Sequence, residues 1–168
     1  FGVAALFEGG RRQQHIVALT GLSLVDIDHI PTERMSEVLA LVRGDEHTLL
    51  AYTTLSGHGV RVLARYALNT SNDNVNDNCL PDGKSTSTLT STFSPYKLAF
   101  LTVNEYYQRL TGCDYDEKCK NATRLSGMAH DPEVYYNPDA AVIIVDMTKK
   151  PVGRPKRVER LKMTVERC

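Results

Sequence analysis

The chain has 168 residues and 18.7 kDa, with 42% hydrophobic and 24% charged residues, values that fit one globular domain and argue against a disordered chain or two full domains. Basic and acidic residues balance at 20 each, but residues 148–168 hold eight basic against two acidic, which leaves twelve against eighteen in the rest. The zero sum therefore does not exclude nucleic acid as a partner, whereas the absence of any run near the roughly 18 to 20 apolar residues of a membrane span points to a cytoplasmic protein with no membrane partner.

In chain order, residues 1–7 and 16–30 are rich in apolar and β-branched residues and read as strands. Thr20-Gly21 breaks the second, so a bend is expected there with a strand over Leu22 to His29. Pro31 opens a helix that Thr32 can cap, in which Met35, Val38, Leu39 and Val42 recur at helical spacing, and Gly44 ends it. Strands follow over Thr48 to Thr54 and Val60 to Tyr66, joined by the turn Ser56-Gly57-His58-Gly59. Residues 69–94 are mostly Asn, Asp, Ser, Thr and Gly and read as a long mobile loop. Ser94-Pro95 starts a second helix, with Leu98, Leu101, Val103, Tyr106 and Leu110 as its apolar stripe, ending near Gly112. A polar turn over Asp114 to Asn121 leads to a last strand, Ala141 to Val145. Hairpins beside helices predict an α+β fold with a mostly antiparallel sheet and flanking helices. Glycine-rich phosphate loops of the GxGxxG or Walker kind are absent from the sequence.

Cys79, Cys113, Cys119 and Cys168 form no CxxC pair and have no histidine at finger spacing, which argues against a zinc site. Cys113 and Cys119 can pair under oxidising conditions; free thiols in a reducing compartment are the simpler expectation.

The sharpest chemical feature is Asp26-Ile27-Asp28. Residues i and i+2 of a strand share a face, so two carboxylates lie side by side, repel, and become favourable around a hard divalent cation such as Mg²⁺ or Mn²⁺. Ordinary solvated charges at a strand end are the plain alternative, against which the flanks Leu22, Leu24, Val25, Ile27 and Ile30 argue. A second feature is Thr53-Thr54-Leu55-Ser56-Gly57-His58-Gly59-Val60-Arg61, a glycine turn that can offer backbone N–H groups and Arg61 to a phosphate. The third is Asp114-x-Asp116 followed by Asn121 and Arg124, able to complete a metal and phosphate site or to be an Asx-rich turn only.

In that order the three resemble the archaeo-eukaryotic primase superfamily. The segments GLSLVDIDHI, YTTLSGHGVRVLARY, VNEYYQRLTG and DEKCKNATRLSGMAHDPEVYYNP look most like the N-terminal domain of virulence-associated protein E, a primase-like domain of mobile elements, especially of Bacteroides. The resemblance implies a primase-polymerase-like fold with an RRM-like catalytic half over residues 1–147, and 148–168 as a basic tail or a linker to a helicase-like domain. It implies that Asp26, Asp28 and Asp116 (Asp114 as the fallback) hold Mg²⁺ or Mn²⁺. Ser56, Gly57, His58, Gly59, Arg61, Asn121 and Arg124 would bind a nucleoside triphosphate, with single-stranded DNA or a primer–template as partner. Family members place a histidine five residues after the turn serine; Arg61 stands there in this chain, able to clamp phosphate but not to transfer a proton.

The expected activity is thus metal-assisted nucleotidyl transfer in DNA replication, with a degenerate nucleotide- or nucleic-acid-binding module and a two-metal nuclease as alternatives. Gly153-Arg154-Pro155 in the tail resembles the core of an AT-hook, which lies in an A·T minor groove.

Overall fold

The computed structural model describes residues 1–69, 95–127 and 129–148. The expected loop from residue 70 onward, and the tail with Gly153-Arg154-Pro155, lie outside the described residues.

A two-stranded antiparallel ribbon opens the chain, β1 (Ala5–Phe7) with β2 (Ile16–Leu19). Gly21 then takes φ 72°, where only glycine sits without cost, and delivers the chain into β3 (Leu22–Ile27). Helix α1 (Thr32–Arg43) follows, then β4 (Thr48–Thr53), β5 (Val60–Asn69), α2 (Pro95–Thr111), a 3₁₀ turn over Glu117–Lys120, β6 (Tyr135–Tyr136) and β7 (Ile143–Asp146). Thr32 does not cap α1. It is the first helical residue, and extended Pro31 precedes it with no side chain able to accept a hydrogen bond.

The main sheet runs β3-β5-β4-β6, all antiparallel, with β7 parallel to the C-terminal half of β5. β3 and β4 thus flank β5 and are connected through α1, a split β-α-β unit. The sheet is mixed rather than purely antiparallel. β5 also runs three residues beyond Tyr66, because Tyr66 to Asn69 pair with Ile143 to Asp146, a partner far away in sequence.

Alternation along β3 and β5 separates two faces. Val25, Ile27, Val60, Val62 and Ala64 point one way and are buried. Thr48, opposite Ala64, shares a buried 2.9 Å hydrogen bond with the Tyr107 hydroxyl, so this face is the one α2 covers. Val38 and Val42 of α1 and Phe100 and Val103 of α2 complete that core with no solvent exposure. The α2 stripe is wider than its spacing suggests, since Tyr96, Ala99 and Tyr107 are buried while Leu101, Tyr106 and Leu110 are partly buried.

Candidate functional site

The other face carries the polar residues. Asp26 of β3 is opposite Arg61 of β5, which is opposite Tyr52 of β4, and side chains in register share a face. Arg61 donates from Nε and Nη2 to the two Asp26 oxygens at 3.1 Å each, and from Nη1 to Gly127 O at 3.2 Å and Ser126 Oγ at 3.3 Å. The Tyr52 hydroxyl also donates to Gly127 O at 3.1 Å and shares a bond with Ser126 Oγ at 3.0 Å. Residues 126–127 therefore strap this face, anchored further by Phe1 N donating to Ser126 O at 2.9 Å. The Asp26 side chain is 4% exposed and that of Arg61 23%. Burial works to lower the Arg61 pKa, and the hydrogen bonds and charge of Asp26, together with Tyr52, more than offset it.

One step along the strands, Gly59 is built in close. A Cβ there would lie 2.8 Å from Ile27 O, 2.9 Å from Thr54 Oγ1 and 3.0 Å from Asp28 Oδ1. Beside it opens a cavity of about 300 Å³ lined by Asp28, Thr54, Ser56, Arg61, Gly127 and Ala129. The hydroxyls of Thr54 and Ser56 share a 3.1 Å hydrogen bond at its rim.

A strand running through Asp28 was expected to keep Asp26 and Asp28 as equivalent neighbours. β3 instead ends at Ile27, and His29 takes φ 59°, so Asp26 is buried while Asp28 is exposed at the cavity. The Asp28 carboxyl is held above its ordinary range first by partial burial and then by Asp26, with Asp116 adding to the rise while His29 and Arg61 oppose it. Asp116 comes close through the backbone, its N–H donating to Asp26 O at 2.8 Å. Ligand atoms of Asp26, Asp116 and Cys119 all lie within 4.8 Å of one another, a group able to hold a cation. From the sequence, Cys119 was legible only as a thiol able to pair with Cys113. Both it and Cys113 are free, and burial, then Asp26 and Asp116, push the Cys119 thiol up to about 11.

Other expected residues fall at varying distance from this centre. Asp114 turns away to accept from Gln108 Nε2 at 2.8 Å. The Asn121 side-chain oxygen is used within its own turn, accepting from Thr123 N at 3.1 Å and Thr123 Oγ1 at 3.0 Å. Arg124 is exposed, with its charge felt at Cys119. Gly57 takes φ 71° in the open turn, and His58 is exposed, its carbonyl accepting the Ile30 N–H at 2.9 Å. Tyr52, Ser126 and Gly127 were missed, because nothing local in the sequence announces a strap joined to β4 and β5.

The family model of the BT4734-like N-terminal domain matches residues 1–136, and the chain belongs to that family. This corrects the resemblance to the N-terminal domain of virulence-associated protein E, a distinct family. The physical reason is that a DxD strand end, a glycine turn and a downstream arginine are short devices that unrelated sheets arrive at separately. No curated protein and no solved structure matches the chain.

Proposed function

Taking that family membership as the premise, we propose that this domain binds a nucleoside triphosphate together with a divalent cation and performs nucleotidyl transfer on DNA. The observation that carries the reading is the approach of the Asp26 and Asp116 carboxylates to one another, with Asp28 feeling both charges from the wall of a cavity that also bears Arg61, Thr54 and Ser56. Partial burial raises Asp28 first and repulsion from Asp26 and Asp116 adds to it; a cation beside these carboxylates would relieve the repulsive part.

The donor chemistry fits Mg²⁺ or Mn²⁺. Carboxylate oxygens are hard ligands, and each Asp26 oxygen keeps a further lone pair beside its bond from Arg61. Cys119, protonated at neutral pH, adds little for a hard ion. Asp26, Asp28 and Asp116 would hold the ion, which when bound lowers the pKa of an attacking hydroxyl and neutralises charge on a leaving pyrophosphate. The chain's own residues then act on the triphosphate. Arg61, steadied by Asp26 and Gly127, neutralises phosphate oxygens and stays ionised throughout. Thr54 and Ser56 donate their hydroxyls, and Gly59, lacking a Cβ, lets Thr54 and Asp28 draw close together at the cavity wall.

The same reading takes the β3-β5-β4 core with its two helices as an RRM-like catalytic half. The basic excess of residues 148–168 supports DNA, single-stranded or primer–template, as partner, and a helicase-like domain as neighbour.

A second reading, a nucleotide-binding module without transfer, is favoured by one observation: Arg61 occupies both oxygens of Asp26. Primer synthesis or extension by the full chain, supplied with nucleotides and Mg²⁺ or Mn²⁺, separates the two. Metal-dependent product is expected, falling about 100-fold or more in Asp28→Asn with no fall in melting temperature, since Asp28 is exposed and the fold disfavours its charged form. Nucleotide binding without product would replace transfer by the silent module; DNA degradation without added nucleotide would replace it by a nuclease.

A further inference from the structure

We propose that a second pocket, which shares Ala129 with the first, seats the base of the nucleotide, an inference that rests on the phosphate reading of the first cavity. This pocket measures about 340 Å³ and is framed by Leu50, Tyr52, Val134, His130 and Asp131, with Phe1 at its edge. Ala129 lines both pockets. Leu50 and Tyr52 stand two residues apart on β4, opposite Leu63 and Arg61, so both pockets open on one face of the sheet. The ridge between them is the set of bonds already described: Arg61 and Tyr52 both donate to Gly127 O, and both reach Ser126 Oγ.

The two pockets differ in kind. The first brings two charged and two hydroxyl side chains together beside Leu55 and Ala129, polar groups that a triphosphate can use. Aliphatic and aromatic side chains dominate the second, with one carboxylate and one imidazole at its margin. That is the chemistry of a heterocycle site, in which an aromatic or aliphatic wall covers the ring and a few polar groups read its edge. Asp131 is preorganised for such reading. Its Oδ2 accepts the Thr53 N–H at 2.8 Å and its Oδ1 the Glu133 N–H at 2.9 Å, which fixes the 131–133 turn and leaves a lone pair on each oxygen for an amino group. The two volumes together fall within the roughly 300–1,000 Å³ typical of ligand pockets.

The test uses the full chain with Mn²⁺, titrated with each of the four deoxynucleoside triphosphates and with inorganic tripolyphosphate. Val134 is half exposed, so Val134→Gln replaces an apolar wall by a neutral polar one without touching the core. At least one nucleotide is expected to bind about tenfold tighter than tripolyphosphate, the scale of one stacked base. Val134→Gln should remove that difference and leave tripolyphosphate binding unchanged. Equal affinity for nucleotide and tripolyphosphate, or a loss in Val134→Gln that is the same for both or absent, overturns the base pocket. Nucleotide binding that depends on Val134 but not on Arg61 (Arg61→Ala), with no tripolyphosphate binding, leaves the base pocket standing and overturns the phosphate reading. Binding of neither probe overturns both.

Discussion

On the helix side of β5 stand Val60, Val62 and Ala64, all without solvent exposure, while the intervening Arg61, Leu63 and Arg65 point to the opposite face. Both sets belong to one strand, so they share backbone hydrogen bonds and differ only in what their side chains meet. The first set meets α2 and its neighbours and gains the transfer free energy of buried apolar surface. The second sets a guanidinium against a carboxylate that is 4% exposed, an arrangement whose desolvation cost roughly cancels its attraction. A hydrophobic row of equal volume would hold the sheet at least as well. What the Asp26–Arg61–Tyr52 row adds is position: it fixes charged groups at the cavity and ties the 126–127 strap over them.

The contrast can be broken most forcefully from the apolar side. Phe100→Ala removes a fully buried ring of α2 and should cost about 3–5 kcal/mol in urea unfolding, with nucleotide affinity of the remaining folded protein unchanged. A matching loss of affinity would show that the two faces are not separable. On the polar side, Asp26→Ala leaves Arg61 facing an empty place and should cost about 3 kcal/mol. Adding Arg61→Met should recover more than half of that loss, because the cost is the stranded charge rather than the missing pair. Failure to recover would mean that the row stabilises the sheet outright.

The smallest effect is expected at the edge of the polar face, where Asp131 sits below its ordinary range because the Thr53 N–H, and then the Glu133 N–H, favour its charged form. A carboxylate depressed in the folded state adds stability above its unfolded pKa, and this is lost as pH falls through the folded value. Asp131→Asn should therefore lie below the wild type by at most about 1 kcal/mol at neutral pH, reduced by solvent screening. The gap should close below about pH 4. A gap that persists in acid would assign the effect to packing of the turn.

Much of the scaffold was legible along the chain because it rests on local rules. The periodicity of Val38 and Val42 marks α1, the Thr20-Gly21 break marks the start of β3, and the glycine turn marks the β4–β5 hairpin. The gathering of Asp26, Asp28 and Arg61 was legible in part, since strand alternation and a hairpin bring such residues to one face. The family was misread for the opposite reason: short acidic and glycine devices are shared by unrelated sheets, whereas the match that identifies the chain extends over residues 1–136.

The sequence by itself thus determined the main strands and both helices and their order, because each depends on spacings of two to four residues. The tertiary structure alone decided that β7 joins β5 in parallel, that Asp116 rather than Asp114 meets Asp26, and that Cys119 lies among the carboxylates. It also decided that Ser126 and Gly127 bridge Arg61 to Tyr52. Each of these contacts closes a loop of tens of residues, and its partner is chosen by how the packed sheet presents its edges and faces.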